Sequence, residues 1–224
     1  MIEQKSNLSA KLLNGGMRLF FRLLYHSFAG AYDTVAKSVS LGHWNDWVLS
    51  SLKLVSGPCV LELGFGPGHL QAQMAQKGIS AFGLDESWQM AHQARRRLIN
   101  HAAPSRLARG LAQHLPYVSQ AFNDVVATFP TLYIVEPETL QEIQRVLKPG
   151  GRLVVLSAAW ITGKSISERF LRRVYQATNE SPAEEVDLAS FVQPFQEAGF
   201  RASLRFVEMP GARLMYIIAS KSQG

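Results

Sequence analysis

The stretch Val60-Leu61-Glu62-Leu63-Gly64-Phe65-Gly66-Pro67-Gly68-His69-Leu70 constrains this chain more than any other. A short apolar run ends in three alternating glycines, and a helical pattern begins at Leu70. Glycine is needed where a backbone turns tightly or must lie against a ligand with no Cβ in the way. The helix start just beyond offers N–H groups that have no intrahelical partner. The dinucleotide pattern G-x-G-x-x-G places its third glycine one residue later, where His69 stands, so the spacing argues against NAD. A tight strand-to-helix turn without a ligand produces a similar loop, so the loop takes its meaning from what surrounds it.

What surrounds it is an alternation of short apolar runs and polar helical stretches. Cys59 to Leu63, Ile79 to Leu84, Arg106 to Arg109, Asp124 to Phe129 and Arg152 to Ser157 read as strands. Leu70 to Lys77, Ser87 to Asn100 with Ser87 as N-cap, and Glu138 to Leu147 with Pro137 in its first turn read as helices. Lys148-Pro149-Gly150-Gly151 stops the last of them. Strands alternating with helices predict an α/β fold with a mostly parallel sheet covered on both faces. Leu188 to Ala198 reads as a further helix. Phe200 to Val207 and Leu214 to Ser220 are strands joined by the turn Met209-Pro210-Gly211, hence antiparallel neighbours.

Two segments differ in texture from this core. In residues 1–55, Leu13, Met17, Phe20, Leu24, Phe28, Ala31 and Val35 recur at steps of three or four and form one helix face, with Lys11, Arg18 and Arg22 on another. This segment reads as an N-terminal helical lid or extension on a domain of residues 56–224. Residues 159–190 form a polar insertion with a helical centre at Ser167 to Gln176. At 224 residues, extension and domain make one compact unit with one core.

Lys and Arg number 23 against 17 acids, a net charge of +6 that favours anionic partners without choosing among them. The single cysteine, Cys59, excludes an internal disulfide framework and reads as an inert buried thiol. No two of the six histidines have the i, i+4 spacing of a helical zinc site, so no metal is expected. No run approaches the roughly 18 apolar residues of a membrane span. Glu3 and Lys5 precede any apolar run, unlike a secretory signal, and the expectation is a cytoplasmic protein in contact with a membrane surface at most.

E-L-G-x-G-x-G over Glu62 to Gly68 resembles motif I of the class I S-adenosylmethionine-dependent methyltransferases, whose loop wraps the amino-acid half of the cofactor. Asp85, in Gly83-Leu84-Asp85-Glu86-Ser87, stands where that family places an acid to accept hydrogen bonds from both ribose hydroxyls. Arg109-Gly110-Leu111-Ala112-Gln113-His114-Leu115-Pro116-Tyr117 is similar to the family's G-D-A-x-x-L-P-F segment. Glu142-Ile143-Gln144-Arg145-Val146-Leu147-Lys148-Pro149-Gly150-Gly151 is similar to its E-I-x-R-V-L-K-P-G-G signature. The resemblance implies a Rossmann-like seven-stranded sheet of order 3-2-1-4-5-7-6 with strand seven antiparallel. It also implies S-adenosyl-L-methionine as cofactor, surrounded by Glu62, Gly64, Phe65, Gly66, Gly68, Asp85, Glu86, Ala112, Gln113 and Thr128. One position departs from the pattern: Leu111 replaces the aspartate that often receives the adenine amino group. Backbone groups, Gln113, His114 or apolar sandwiching are then left to read adenine.

Methyl transfer from a sulfonium requires an in-line acceptor and exclusion of water more than a catalytic triad. A general base is needed only where the acceptor must lose a proton. The residues nearest the methyl should come from the end of strand four, Thr128 to Tyr133. That stretch is not the N-P-P-Y signature of many nucleobase and amide methyltransferases, so nucleic acid is disfavoured. Tyr133 is a candidate for acceptor contact and equally for a packed aromatic. Ala31-Tyr32-Asp33-Thr34-Val35-Ala36 with Gly42-His43-Trp44 resembles the N-terminal segment of small-molecule and lipid methyltransferases, which implies Tyr32 as a pocket residue. The leading expectation is methylation of an apolar or lipid-like acceptor. The crowding of Phe20, Phe21, Leu23, Leu24, Tyr25 and Phe28 beside Arg18 and Arg22, and Arg169, Arg172 and Arg173 in the insertion, fit an anionic membrane surface. The rivals are a methyltransferase of a soluble small molecule or RNA, and a non-catalytic adaptor with the same fold.

Overall fold

Val125, Val126 and Ala127 are fully buried in the middle of a strand, and only a sheet covered on both faces hides consecutive residues in this way. In the computed structural model, which describes residues 42–162 and 188–223, that sheet has seven strands. They are β1 (Cys59–Leu63), β2 (Ser80–Asp85), β3 (Leu107–Arg109), β4 (Phe122–Thr128), β5 (Leu147–Ile161), β6 (Arg201–Met209) and β7 (Ala212–Ser220). Their order is β3-β2-β1-β4-β5-β7-β6. Strands β1 to β5 run parallel to one another, and β7 is antiparallel to both β5 and β6. Fold class and strand order are those the sequence led us to expect. The helix face Leu13 to Val35, Tyr32, and the arginines at 169, 172 and 173 lie outside the described residues.

Alternation along the strands sorts the core into two layers. Val60, Val126, Val154 and Leu156 face helices α1 (Trp44–Ser50), α2 (His69–Gln76) and α3 (Trp88–Asn100), packing on Trp47, Leu70, Met74 and Met90. Leu61, Leu63, Val125 and Val155 face α4 (Pro137–Val146) and α5 (Ala189–Glu197), packing on Leu140, Ile143 and Phe195. Ser87 caps α3 with its hydroxyl accepting from the Met90 N–H, and Pro137 occupies the first turn of α4. Helix α1 is fastened from the far side of the sheet order. The buried Tyr216 hydroxyl of β7 lies 2.6 Å from Ser50 Oγ and 3.2 Å from Ser51 Oγ. Among the described residues no helix is long and apolar enough to cross a membrane.

Strand β5 is longer than its apolar run. Leu147 already pairs with Phe122, and an irregularity in register precedes the Asp124–Arg152 pair, so Lys148 to Gly151 belong to the strand as well as ending the helix. At its other end β5 takes in residues 159–161 of the expected insertion, because β7 continues to pair with it as far as Ala212.

At the amino ends of the parallel strands a saturated carboxylate locks the entry into β1. Asp124 accepts from the Ser56 N–H at 2.8 Å, the Gly57 N–H at 2.9 Å and Arg152 Nε at 3.0 Å. Arg152 Nη2 in turn donates to the Leu54 carbonyl at 2.6 Å and to Ser56 Oγ at 2.7 Å. Asp124→Ala strands these donors, and a denaturant melt should show a loss of about 3–5 kcal/mol. Asp46→Ala, at an exposed ion pair, should change stability by no more than about 0.5 kcal/mol.

Candidate functional site

The carboxyl end of β1 passes into a cradle of left-handed glycines. Gly64, Gly66 and Gly68 have φ of 68°, 50° and 81°, conformations that only glycine adopts without strain. The first two face outward: nothing lies within 4 Å of a Cβ built on Gly66, and a Cβ on Gly64 would meet only the Tyr133 hydroxyl, at 3.1 Å. Gly68 serves packing instead, since its Cβ would fall 2.7 Å from that of Ala94 on α3. Phe65 is buried with its ring over Gly83 of β2. From α3, Arg97 donates to the Pro67 carbonyl and holds the loop from beneath.

Asp85 ends β2 beside this loop. Its Oδ2 accepts from the Gly66 N–H at 2.9 Å and its Oδ1 from the Ser87 N–H at 2.8 Å. Burial pushes its pKa above the ordinary carboxylate value, the Ser87 and Gly66 N–H groups pull it back, and Glu86 adds to the rise. Each oxygen keeps acceptor capacity for a further donor. Glu86 is exposed next to it. Glu62, one strand away, is fully buried, and its Oε2 accepts from Gln71 Nε2 at 2.8 Å. The same Gln71 nitrogen reaches the Phe82 carbonyl at 3.0 Å, so one amide of α2 ties β1 to β2. Burial drives the Glu62 pKa up to about 8, against the lowering by Gln71 and with a small rise from Asp85.

The third wall is the connection that leaves β3. Its backbone stays on Asp85, with the Gly110 N–H 3.2 Å from the Asp85 carbonyl. Leu111 is 50% exposed and Ala112 is buried in the core. Gln113 Nε2 donates to Glu136 Oε2 at 2.5 Å, across to the foot of α4. Beyond it, Glu142 accepts the Leu115 N–H at 2.7 Å, while Arg145 donates to the Tyr117 carbonyl at 2.7 Å and the Leu115 carbonyl at 3.0 Å. The two side chains also pair with each other at 2.6 Å. The E-x-x-R of the signature is therefore a clamp on this segment as well as part of a helix that stops before β5. Arg145 lowers the Glu142 pKa chiefly through its hydrogen bond, against burial and with help from the Leu115 N–H.

At the end of β4, Thr128 is half-buried and Phe129 leaves the strand with φ of 49°, a strained value for a bulky residue. Its ring stacks on Trp44 at 4.4 Å and its N–H bonds the Leu156 carbonyl at 2.7 Å. The bend delivers the 3-10 turn Leu132–Val135, and with it the Tyr133 hydroxyl, onto the Gly64 side of the loop. The sequence-derived residues thus fall into two groups. Gly64, Gly66, Asp85, Glu86, Gln113, Thr128 and Tyr133 are at least partly open, whereas Glu62, Phe65, Gly68 and Ala112 back them from the core. Tyr32 lies outside the described residues. Gln71, Arg97 and the Phe129 bend were not singled out from the sequence. Among the described residues no cluster of His, Cys, Asp and Glu could hold a metal ion.

Residues 60–151 match the family model of the methyltransferase domain. A demethylmenaquinone methyltransferase of Lactiplantibacillus plantarum is 33% identical over 145 residues, 61% of this chain and 61% of that one. A ubiquinone/menaquinone biosynthesis C-methyltransferase of Legionella pneumophila is 33% identical over 142 residues, 59% of this chain and 57% of that one. The chain spans about three-fifths of the length of these curated relatives. An S-adenosylmethionine-dependent methyltransferase of Methanosarcina mazei has the same fold, with a TM-score of 0.57 at 18% identity over 77% of this chain and 97% of that one.

Glu62 makes stability depend on pH. Its ordinary pKa of 4.5 rises to about 8 on folding, so the stabilisation it confers is complete below about pH 4.5 and is lost as pH rises through about 8. Glu62→Gln lacks that loss. The stability difference between the variant and the unaltered chain should grow from pH 5 to about pH 8 by up to about 1.4 kcal/mol per unit and level off above that. Parallel melting profiles would mean that the group is already ionised at neutral pH.

Proposed function

We propose that residues 60–151, which match the family model of the methyltransferase domain, work as a class I S-adenosylmethionine-dependent methyltransferase and that the chain methylates an apolar, quinone-like acceptor. The observation that carries the reading is the lashing of the Asp85 carboxylate to the Gly66 N–H at the mouth of the glycine cradle. The cradle fits the cofactor: the space over Gly66 is open, and the Asp85 oxygens retain lone pairs that suit a vicinal diol. Gly64 and Gly66 would take its amino-acid half, Asp85 its ribose, and the Glu86 to Gln113 side its base.

When bound, S-adenosylmethionine supplies an electrophilic methyl on a sulfonium. The chain's own part is to hold the acceptor in line and to keep water out. Trp44 stacked on Phe129 gives an apolar floor at the end of β4, and the Tyr133 hydroxyl can bond an oxygen of the acceptor beside Gly64. An aromatic acceptor with a ring hydroxyl suits that combination, and two of the relatives carry quinone-methylating names. Trp88, Leu111 and Leu132 stand exposed around the carboxyl ends of the strands, which supports delivery of the acceptor from a membrane surface.

Calorimetry with S-adenosylhomocysteine should show binding that Asp85→Ala weakens by about 1.5–3 kcal/mol. Supplied with labelled cofactor and a short-tailed demethylated naphthoquinol in detergent, the chain should transfer one methyl, read by mass spectrometry. Binding without transfer to any quinol would turn the reading to a soluble acceptor, and no binding at all would favour a non-catalytic adaptor.

Sedimentation with anionic vesicles tests the delivery route. Pelleting that high salt reverses, and that Arg18→Glu with Arg22→Glu abolishes, is the expected result. No pelleting at low salt would remove the membrane from the proposal.

A further inference from the structure

Position 111 at the adenine end of the cradle is a leucine and not an acid, and this inference rests on the cofactor reading above. The Leu111 side chain, at the position in question, has no atom that can accept an amino hydrogen bond, and it stands half exposed. We propose that Gln113, aimed by Glu136, accepts the exocyclic amine and makes the site selective for a 6-aminopurine.

The argument is one of forced orientation. The Leu111 carbonyl accepts the His114 N–H at 3.1 Å, closing a turn that puts Gln113 between β3 and the foot of α4. There its amide meets the Glu136 carboxylate at 2.5 Å. A carboxylate only accepts, so the amide nitrogen must face it, and Oε1 with its two lone pairs is turned away. Glu136 is itself fixed: its N–H reaches the Tyr133 carbonyl at 3.2 Å, and its carbonyl accepts the Leu140 N–H at 3.0 Å as α4 begins. The result is a neutral acceptor with one allowed orientation, tethered through Gly110 to the carbonyl of Asp85. Ala112 is buried and has no polar side chain. An amide oxygen held this way also disfavours a 6-oxo purine, which would set oxygen against oxygen.

The test is calorimetry on the whole chain with S-adenosylhomocysteine, its analogue with hydrogen at purine C6, and its 6-oxo analogue. The unaltered chain should favour the adenine ligand over both by about tenfold or more, the scale of one buried hydrogen bond. Gln113→Leu should bring the ratio to the C6–H analogue close to one. Glu136→Leu, which frees the amide to rotate, should shrink the ratio without touching Gln113. A purely structural role for the pair would weaken all three ligands alike and leave the ratios intact, which overturns the proposal. So would discrimination that survives in Gln113→Leu. Failure of the unaltered chain to bind any of the three would overturn the cofactor reading along with it, whereas tight binding without discrimination would sink this inference alone.

Discussion

The Asp85 carboxylate holds together the two strand ends on which the site is built. It accepts from Gly66 in the loop after β1 and from Ser87 at the start of α3. Burial opposes its charge, and the two N–H groups offset that cost. In return the loop is fixed with Gly64 and Gly66 in left-handed conformations that an untethered chain would leave freely. Arg97 beneath Pro67 and Ala94 beneath Gly68 support the same loop from α3. Sheet register, helix packing and cradle shape therefore converge on one side chain.

Two aspartates at opposite ends of the sheet show how burial separates structure from function. Asp124 is completely enclosed and takes three close donors, among them an arginine, so its acceptor capacity is used within the fold. Asp85 is half-buried and takes only two, both from backbone. The first is a fastener at the amino ends of the strands. The second keeps unused lone pairs at the carboxyl ends, the side on which open parallel sheets bind ligands. Glu62 is a third case: buried and bonded to one amide, it has a pKa driven up by burial and backs the loop from the core.

Much of this was legible in the residues. The glycine loop, Asp85, the Ser87 cap and the Pro137 helix start are local signals, each tied to a backbone need that sequence spacing expresses. The strand order followed from resemblance, and the structure has it. The long β5 was not legible, because its extra residues are strand only through pairing with β7 and with Phe122. The turn at Phe129 was read as the end of a strand, since an apolar residue gives no sign that stacking on Trp44 will offset a positive φ. Gln71 looked like an ordinary helix residue, and its amide matters only because β1 and β2 bring Glu62 and Phe82 beneath it.

Glu142 and Arg145 carry the most instructive shortfall. Three residues apart on a helix, such a pair on its own contributes only a few tenths of a kcal/mol, and the sequence showed them only as part of a signature. Their remaining bonds run to Leu115 and Tyr117, across a connection that has no regular structure of its own. Ordering a residue there costs about 1–2 kcal/mol, and a charge-assisted bond returns about 1.5–3 kcal/mol, so the clamp fixes the residues it touches and little more. The turn from Leu111 to His114 lies just beyond its reach, held by one backbone bond and by Gln113 on Glu136. The Asp85 end of the cradle is thus set by the sheet, and the end from Leu111 to His114 by one backbone bond and one side-chain pair. Substitutions in α4 should accordingly reach the turn from Leu111 to His114 before they reach the glycine loop.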